Sequence, residues 1–532
     1  MRSTALRHLS FPLILIAFVL LPLSAPAAQE NALPLYDDLG DHHVPITTDV
    51  PEAQRYFDQG MRLAYAFNHE EAIRSFQEAA RRDPACAMCY WGIALAYGPN
   101  INLPMPPEAV APAFAALERA QALAGDVSPR EQDYIRALSE RYAQPAPEDR
   151  SSLDQAYAEA MGDVSEQHPQ DLDAATLYAE ALMNLTPWDY WTADNQPRPQ
   201  TRVLLSQLER VVEADPDHPG ACHYYIHAVE SAYPERAVPC AERLAELMPG
   251  AGHLVHMPAH IYIRVGRWDD AIEANKHAVH ADESYISDRN VSGFYPAMYY
   301  PHNYHFLAFA AMMAGRPGTA LEASDNLGQV VDVAAAREVP ELQGMVPYHQ
   351  LMLLSFERYQ DVLESPEPPA DLALAHSLDQ YARGMALAAS DETGQAQAAL
   401  QELRRAASEI DDELGATLAG IAEHTLAGEV AASEGDVSRA LEQFQAAVEL
   451  EDQLPYMEPP YWYRPVRHFM AAALLEAGQP IEAEQAYRED LARFPENAWS
   501  LYGLAESLEA QGETEKAEDA YARFRAVSGD GQ

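Results

Sequence analysis

Ten of the nineteen histidines fall between His218 and His305, at spacings that put rings on a shared helix face. His223 and His227 are four apart, as are His256 and His260, while His302 and His305 are three apart. In a helix each pair stacks one turn above the other, so both rings can reach one divalent ion. Neighbouring helices lie about 8 to 10 Å apart. A pair on one helix and a ring on the next, with His253 as a further donor, complete three or four ligands for zinc or copper. Glu180 and Glu230 are the carboxylates placed to ligate an ion or to accept an imidazole N–H and set its tautomer. The HEXXH pattern of metalloproteases is absent. Pro258 sits inside the helix that would carry His253, His256 and His260, and either kinks it or starts it late. A start at Met257 would leave His253 and His256 in a loop.

The four cysteines leave alternatives open. Cys86 and Cys89 form a CxxC followed by Tyr90, where covalent haem attachment needs histidine, and no strand precedes it as in thioredoxin-type sites. In an oxidising compartment a local disulfide is the expected state, and a redox or metal pair is the alternative. Cys222 and Cys240 fall on the two helices of one hairpin at different heights, which suits a bridge and free thiols equally. No GxSxG elbow, phosphate loop or GxGxxG follows a strand, so no catalytic residue is assigned and the chain leans away from being an enzyme.

These residues need helices, and the chain is patterned for helix pairs throughout. Pro216 and Pro249 are 33 residues apart at equivalent places, each ending one pair and starting the next. Gly266, Trp268, Ala271 and Ala278 follow at the turn and packing offsets, and Gly60, Ala72, Phe76, Ala79 and Pro84 mark an earlier repeat. Later repeats are marked by Gly435 with Ala440, Gly478 with Ala483 and Gly512 with Ala517. Proline- and aromatic-rich inserts interrupt the pattern at 98–107, 185–200 and 451–465, and an aromatic connection precedes Pro301. Trp188, Tyr190 and Trp191 in the second insert suit a lid or a core edge. Tyr295, Tyr299, Tyr300 and Tyr304 suit a flat ligand or a brace.

Stretches such as PEAQRYFDQGMRLAYAFNHEEAIRSF, DPACAMCYWGIALAYGPNIN, HMPAHIYIRVGRW and EPPYWYRPVR resemble a secreted bacterial family of tetratricopeptide repeat proteins. The resemblance implies an all-α, tetratricopeptide-type α-solenoid: a right-handed superhelix of antiparallel helix pairs with a concave groove. In such repeats the second, fifth and ninth positions of the first helix line the groove. Placed on that frame by their turn glycines, His253 and His302 fall at second positions, His223, His256 and His305 at fifth, and His227 and His260 at ninth. Seven imidazoles then face one groove.

The chain divides into a signal peptide at 1–27, with Arg2 and Arg7 before an apolar run, and an irregular lead at 28–50. Repeats at 51–364 carry the histidine-rich groove, a proline-rich linker spans 365–371, further repeats occupy 372–528, and 529–532 is a tail. The leader implies a periplasmic or secreted protein. With 82 acidic and 35 basic residues the formal charge is −47, which removes the basic footprint of a nucleic-acid binder. No apolar stretch beyond the leader is long enough for a membrane span. Two functions fit: a scaffold binding a protein or peptide in its groove, and a metal-binding protein or metal-dependent enzyme using the groove histidines with zinc or copper.

Overall fold

Helix starts in this chain are written into its short polar and proline residues. Pro51, Pro129, Pro199, Pro219, Pro258, Pro317 and Pro480 each stand in a first turn, where a missing N–H costs nothing. Ser128 and Glu131 close a capping box, and Asp171, Asp412 and Asn497 cap their helices through side-chain oxygens. Helix ends are set by glycine. Gly266 has φ +78°, the left-handed conformation that an L side chain resists, and Gly315, Gly435, Gly478 and Gly512 repeat it at the other turns.

The structure, a computed structural model, describes residues 33–289, 291 and 293–529. The leader read at 1–27, the first residues of the lead and the last three of the tail lie outside the described residues. Among the described residues the regular structure is all helical, with isolated bridges at Asn100–Leu103 and Trp191–Pro197 in two of the inserts. Consecutive helices pack as hairpins, for example Pro51–Tyr65 on His69–Arg82, Ala373–Ala389 on Thr393–Ala407 and Glu413–Ser433 on Val437–Glu451. The repeat's small positions let these helices close. A Cβ at Gly60 or Gly92 would fall 2.5 Å from the same Phe76 ring, which both helices share.

Two expectations about local structure change. The stretch before Pro301 is a connection only in its first part, after Trp268–Arg289 ends; its aromatic residues are helical, because Phe294–Met313 is one helix with Pro301 inside it. Tyr295 donates to Asp282, while the Tyr300 and Tyr304 hydroxyls both reach Glu283, so packing outweighs the cost of the proline. The histidine helix does not start late at Pro258: it is interrupted there into Gly252–His256 and Pro258–Arg264, joined through Met257 with helical φ −50° and ψ −36°, and His253 and His256 stay helical.

The core runs unbroken across the linker at 365–371, where Arg383 donates to the carbonyls of Leu363 and Ser365. The solenoid also turns back on itself. Trp268 donates to the Pro495 carbonyl at 2.9 Å, Trp499 to that of Met312 at 2.8 Å, and Phe309 meets Phe494. The last repeats therefore rest on the middle ones and bring the 451–465 insert to the histidines.

Candidate metal centre

The Pro219–Val229 helix is capped by His218, whose Nδ1 accepts the Ala221 N–H at 3.1 Å. On it His223 and His227 stack with ring centroids 4.9 Å apart. Gly252–His256 supplies His253 and His256, Pro258–Arg264 supplies His260, and Phe294–Met313 supplies His302. These six rings form one cluster: His223 lies 4.9 Å from His253, His227 5.6 Å from His260, and His256 4.8 Å from both His260 and His302. Ligand atoms of His223, His227 and His253 lie within 4.8 Å of one another, as do those of His256, His260 and His302.

The open groove expected for them is closed. Of the six, all but the half-buried His302 are at most 4% exposed. All three inserts contribute to the seal. Trp188, from the second, packs edge-on to His227 at 5.0 Å and donates to the carbonyl of Ile101 in the first. Asn102 of the first insert reaches the Tyr299 hydroxyl, and the Tyr299 ring lies 4.5 Å from His253. Glu458 arrives from the third. Phe67, with φ +55°, forms an apolar wall against His223, His227 and His253. An aromatic residue held in the left-handed region costs about 1–3 kcal/mol, and such strain gathers at functional sites.

Hydrogen-bond acceptors behind the rings set their tautomers. His223 Nδ1 lies 2.6 Å from the Tyr65 carbonyl, and His256 Nδ1 lies 2.7 Å from Asn275 Oδ1. Asn275 Nδ2 donates to the Ala271 carbonyl, which leaves its oxygen for the ring. Carbonyl and amide oxygens only accept, so both Nδ1 atoms carry hydrogen and both Nε2 atoms present lone pairs. Glu230 stands behind two more, with Oε1 3.5 Å from His227 Nδ1 and Oε2 3.0 Å from His260 Nδ1. Glu458 Oε2 is 3.1 Å from the same His260 nitrogen, which is aligned with neither carboxylate for a full hydrogen bond. Inside the cluster the Nε2 atoms meet in pairs, His223 with His253 at 3.1 Å and His256 with His260 at 2.9 Å. His227 Nε2 and His253 Nδ1 are buried without a hydrogen-bond partner.

Burial holds His223, His253, His256 and His302 well below the ordinary imidazole pKa, and it lowers His227, so these rings are neutral donors at pH 7. His260 goes the other way. Burial opposes its charge, but Glu230 and Glu458 outweigh it and raise its pKa to about 10. Burial likewise opposes ionisation of Glu230, and His260 and His227 outweigh it, holding the carboxylate down to about 2. Glu458 is pushed up by burial and by sharing one imidazole with a second carboxylate.

Two residues expected at the site stand elsewhere. His305 lies outside both triads, with its ring 4.4 Å from Tyr348. A three-residue step turns a side chain about 60° away from the first around the helix axis, which aims this one at the following helix. Glu180 bonds Asn184 and pairs with the buried Arg141 at 3.8 Å, a guanidinium that needs a carboxylate more than the histidines do. Cys86 and Cys89 form a disulfide, and Cys222 and Cys240 are free and buried. A separate group, His42, Asp173 and His218, is internally satisfied. His218 has spent Nδ1 on its cap, its Nε2 faces Thr176 and Asp173, and the Tyr65 hydroxyl donates to the same carboxylate at 2.6 Å.

Sequence reasoning missed three supporting groups. Asn275 had a signal, a polar residue between Ala271 and Ala278 on the packing face of its helix. The Tyr65 carbonyl has none, because backbone acceptors are invisible in side-chain patterns. Glu458 has none either, being brought in by the long-range closure.

Residues 474–528 match the sequence profile of the family described as tetratricopeptide repeat. The chain is an all-helical repeat protein over its described residues, with a tetratricopeptide repeat match at its C-terminal end. No curated protein matches its sequence. Among solved structures it is similar to a human IFIT1 dimer with m7Gppp-AAAA, at 14% identity over 91% of this chain and 92% of that one, TM-score 0.32. It is also similar to Naa15/Naa10 bound to HypK-THB, at 15% identity over 89% and 70%, TM-score 0.23. The described residues contain no helix long and apolar enough to cross a membrane.

Proposed function

We propose that this chain is an extracytoplasmic helical-repeat protein whose buried histidine core binds ions of the zinc or copper class. One observation carries the reading: three buried imidazoles have hydrogen-bond acceptors at Nδ1, His223 at Tyr65, His227 at Glu230 and His256 at Asn275, which leaves their Nε2 atoms as lone-pair donors. A metal-ligating histidine is held by this kind of outer-shell partner. At Zn–N distances near 2.0–2.1 Å, two ligands of a tetrahedral ion are separated by about 3.3 Å, close to the Nε2 pairs observed. An all-imidazole set suits zinc and copper better than magnesium or calcium. Three protein ligands leave a position free, where bound water would have a pKa near 7. The apolar run ahead of Ala25 and the Cys86–Cys89 disulfide support an oxidising compartment outside the cytoplasm.

A second reading, a scaffold for a protein partner, draws support from the C-terminal repeats and not from the closed histidine groove. There Tyr502 is 48% exposed beside Phe524 and Tyr521, and Ile481 is 67% exposed.

Elemental analysis of protein purified without an affinity tag separates the two. Stoichiometric zinc or copper is expected in the parent, and its loss in a folded His223→Ala/His260→Ala variant. No metal in the parent after soaking with zinc and copper salts overturns the metal reading and leaves the scaffold.

A further inference from the structure

We infer that the cluster holds two ions, one among His223, His227 and His253 and one among His256, His260 and His302. The inference rests on the metal reading and asks how many ions six imidazoles serve. Zinc and copper sites made of histidine take three or four protein ligands, so six converging nitrogens exceed one coordination shell. The nitrogens also divide. Each triad holds a close Nε2 pair, at 3.1 Å in the first and 2.9 Å in the second, with a ligand atom of its third ring within 4.8 Å of both. Among the described residues no grouping of three ligand atoms within 4.8 Å of one another mixes rings of the two triads.

The outer shell divides in the same way. Tyr65 orients a ring of the first triad and Asn275 a ring of the second. Glu230 spans both, with one oxygen toward His227 and the other toward His260. One carboxylate orienting a ligand in each triad ties the two positions into one dinuclear centre. Glu230 Oε2 and Glu458 Oε2 are buried without a fully formed hydrogen bond, and they supply negative charge beside two dications. With three protein ligands on each ion, a fourth position remains on both for water or a small anion.

Metal-free protein prepared by chelation and dialysis is titrated with zinc chloride, and bound ions are counted by native mass spectrometry. The parent is expected to take two zinc ions per chain. His253→Gln and His302→Gln are each expected to keep one, and the double variant none, with far-ultraviolet circular dichroism unchanged. Saturation at one ion per chain in the parent overturns the pair and leaves the metal centre standing, whereas no binding overturns both. Loss of both ions, or of neither, in a single variant with parental helicity also overturns the division into triads. Glu230→Gln, which keeps shape but removes the charge spanning the triads, is expected to weaken both ions at least tenfold. Weakening of one alone overturns its bridging role.

Discussion

A single amide decides what His256 can do. Asn275 takes the Nδ1 hydrogen of His256 and leaves Nε2 as a lone pair beside His260. Replacing it with leucine keeps bulk but removes the acceptor, so the ring is free to flip or change tautomer. Loss of such an outer-shell partner typically weakens a metal 10- to 100-fold. Asn275→Leu should therefore raise the zinc dissociation constant by that factor in a chelator competition, with the first triad unaffected. An unchanged affinity would mean that Asn275 only fills space. The histidine spacings were legible at this scale, because period and residue type are sequence properties. The acceptors behind the rings were not, since Tyr65 acts through its backbone.

At the scale of elements, one of the contacts that pin the irregular lead is an ion pair whose strength depends on pH. His42 Nε2 lies 3.0 Å from Asp173, which also holds His218 and the Tyr65 hydroxyl. Burial and Arg62 oppose the charge of His42, and Asp173, with help from Asp215, outweighs them, so its pKa is raised above 6.5. A raised folded pKa means that the stability it adds is fully present below the unfolded value and disappears as pH rises through the folded one. Asp173 is held far below the ordinary carboxylate range, so it stays ionised across that window. His42→Gln should thus cost about 1–2 kcal/mol in urea unfolding near pH 5.5, with the gap narrowing toward pH 9. A gap that widens with pH would refute the pairing. Turn glycines and first-turn prolines made most helix boundaries readable, whereas Phe294–Met313 escaped because proline and aromatics read as a connection until Asp282 and Glu283 are opposite them.

Across the whole molecule, the site depends on closure of the array. The Trp268 indole, 2% exposed, bonds Pro495, and that junction sets where the 451–465 insert and Glu458 fall relative to His260. Trp268→Ala should lower unfolding stability by about 3–5 kcal/mol. It should also weaken zinc binding at the second triad more than at the first, measured by titration in parallel with His302→Gln. Equal weakening would separate closure from the site. The sequence by itself determined the all-helical repeat architecture, the places of the three inserts and six of the clustered histidines. Those follow from short-range periodicity, turn chemistry and residue spacing along one helix. Only the tertiary structure decided that the groove is shut, that His305 and Glu180 serve other partners, and that Glu458 completes the cluster. Those outcomes depend on how successive repeats stack and close, which accumulates over hundreds of residues and leaves no mark in local pattern.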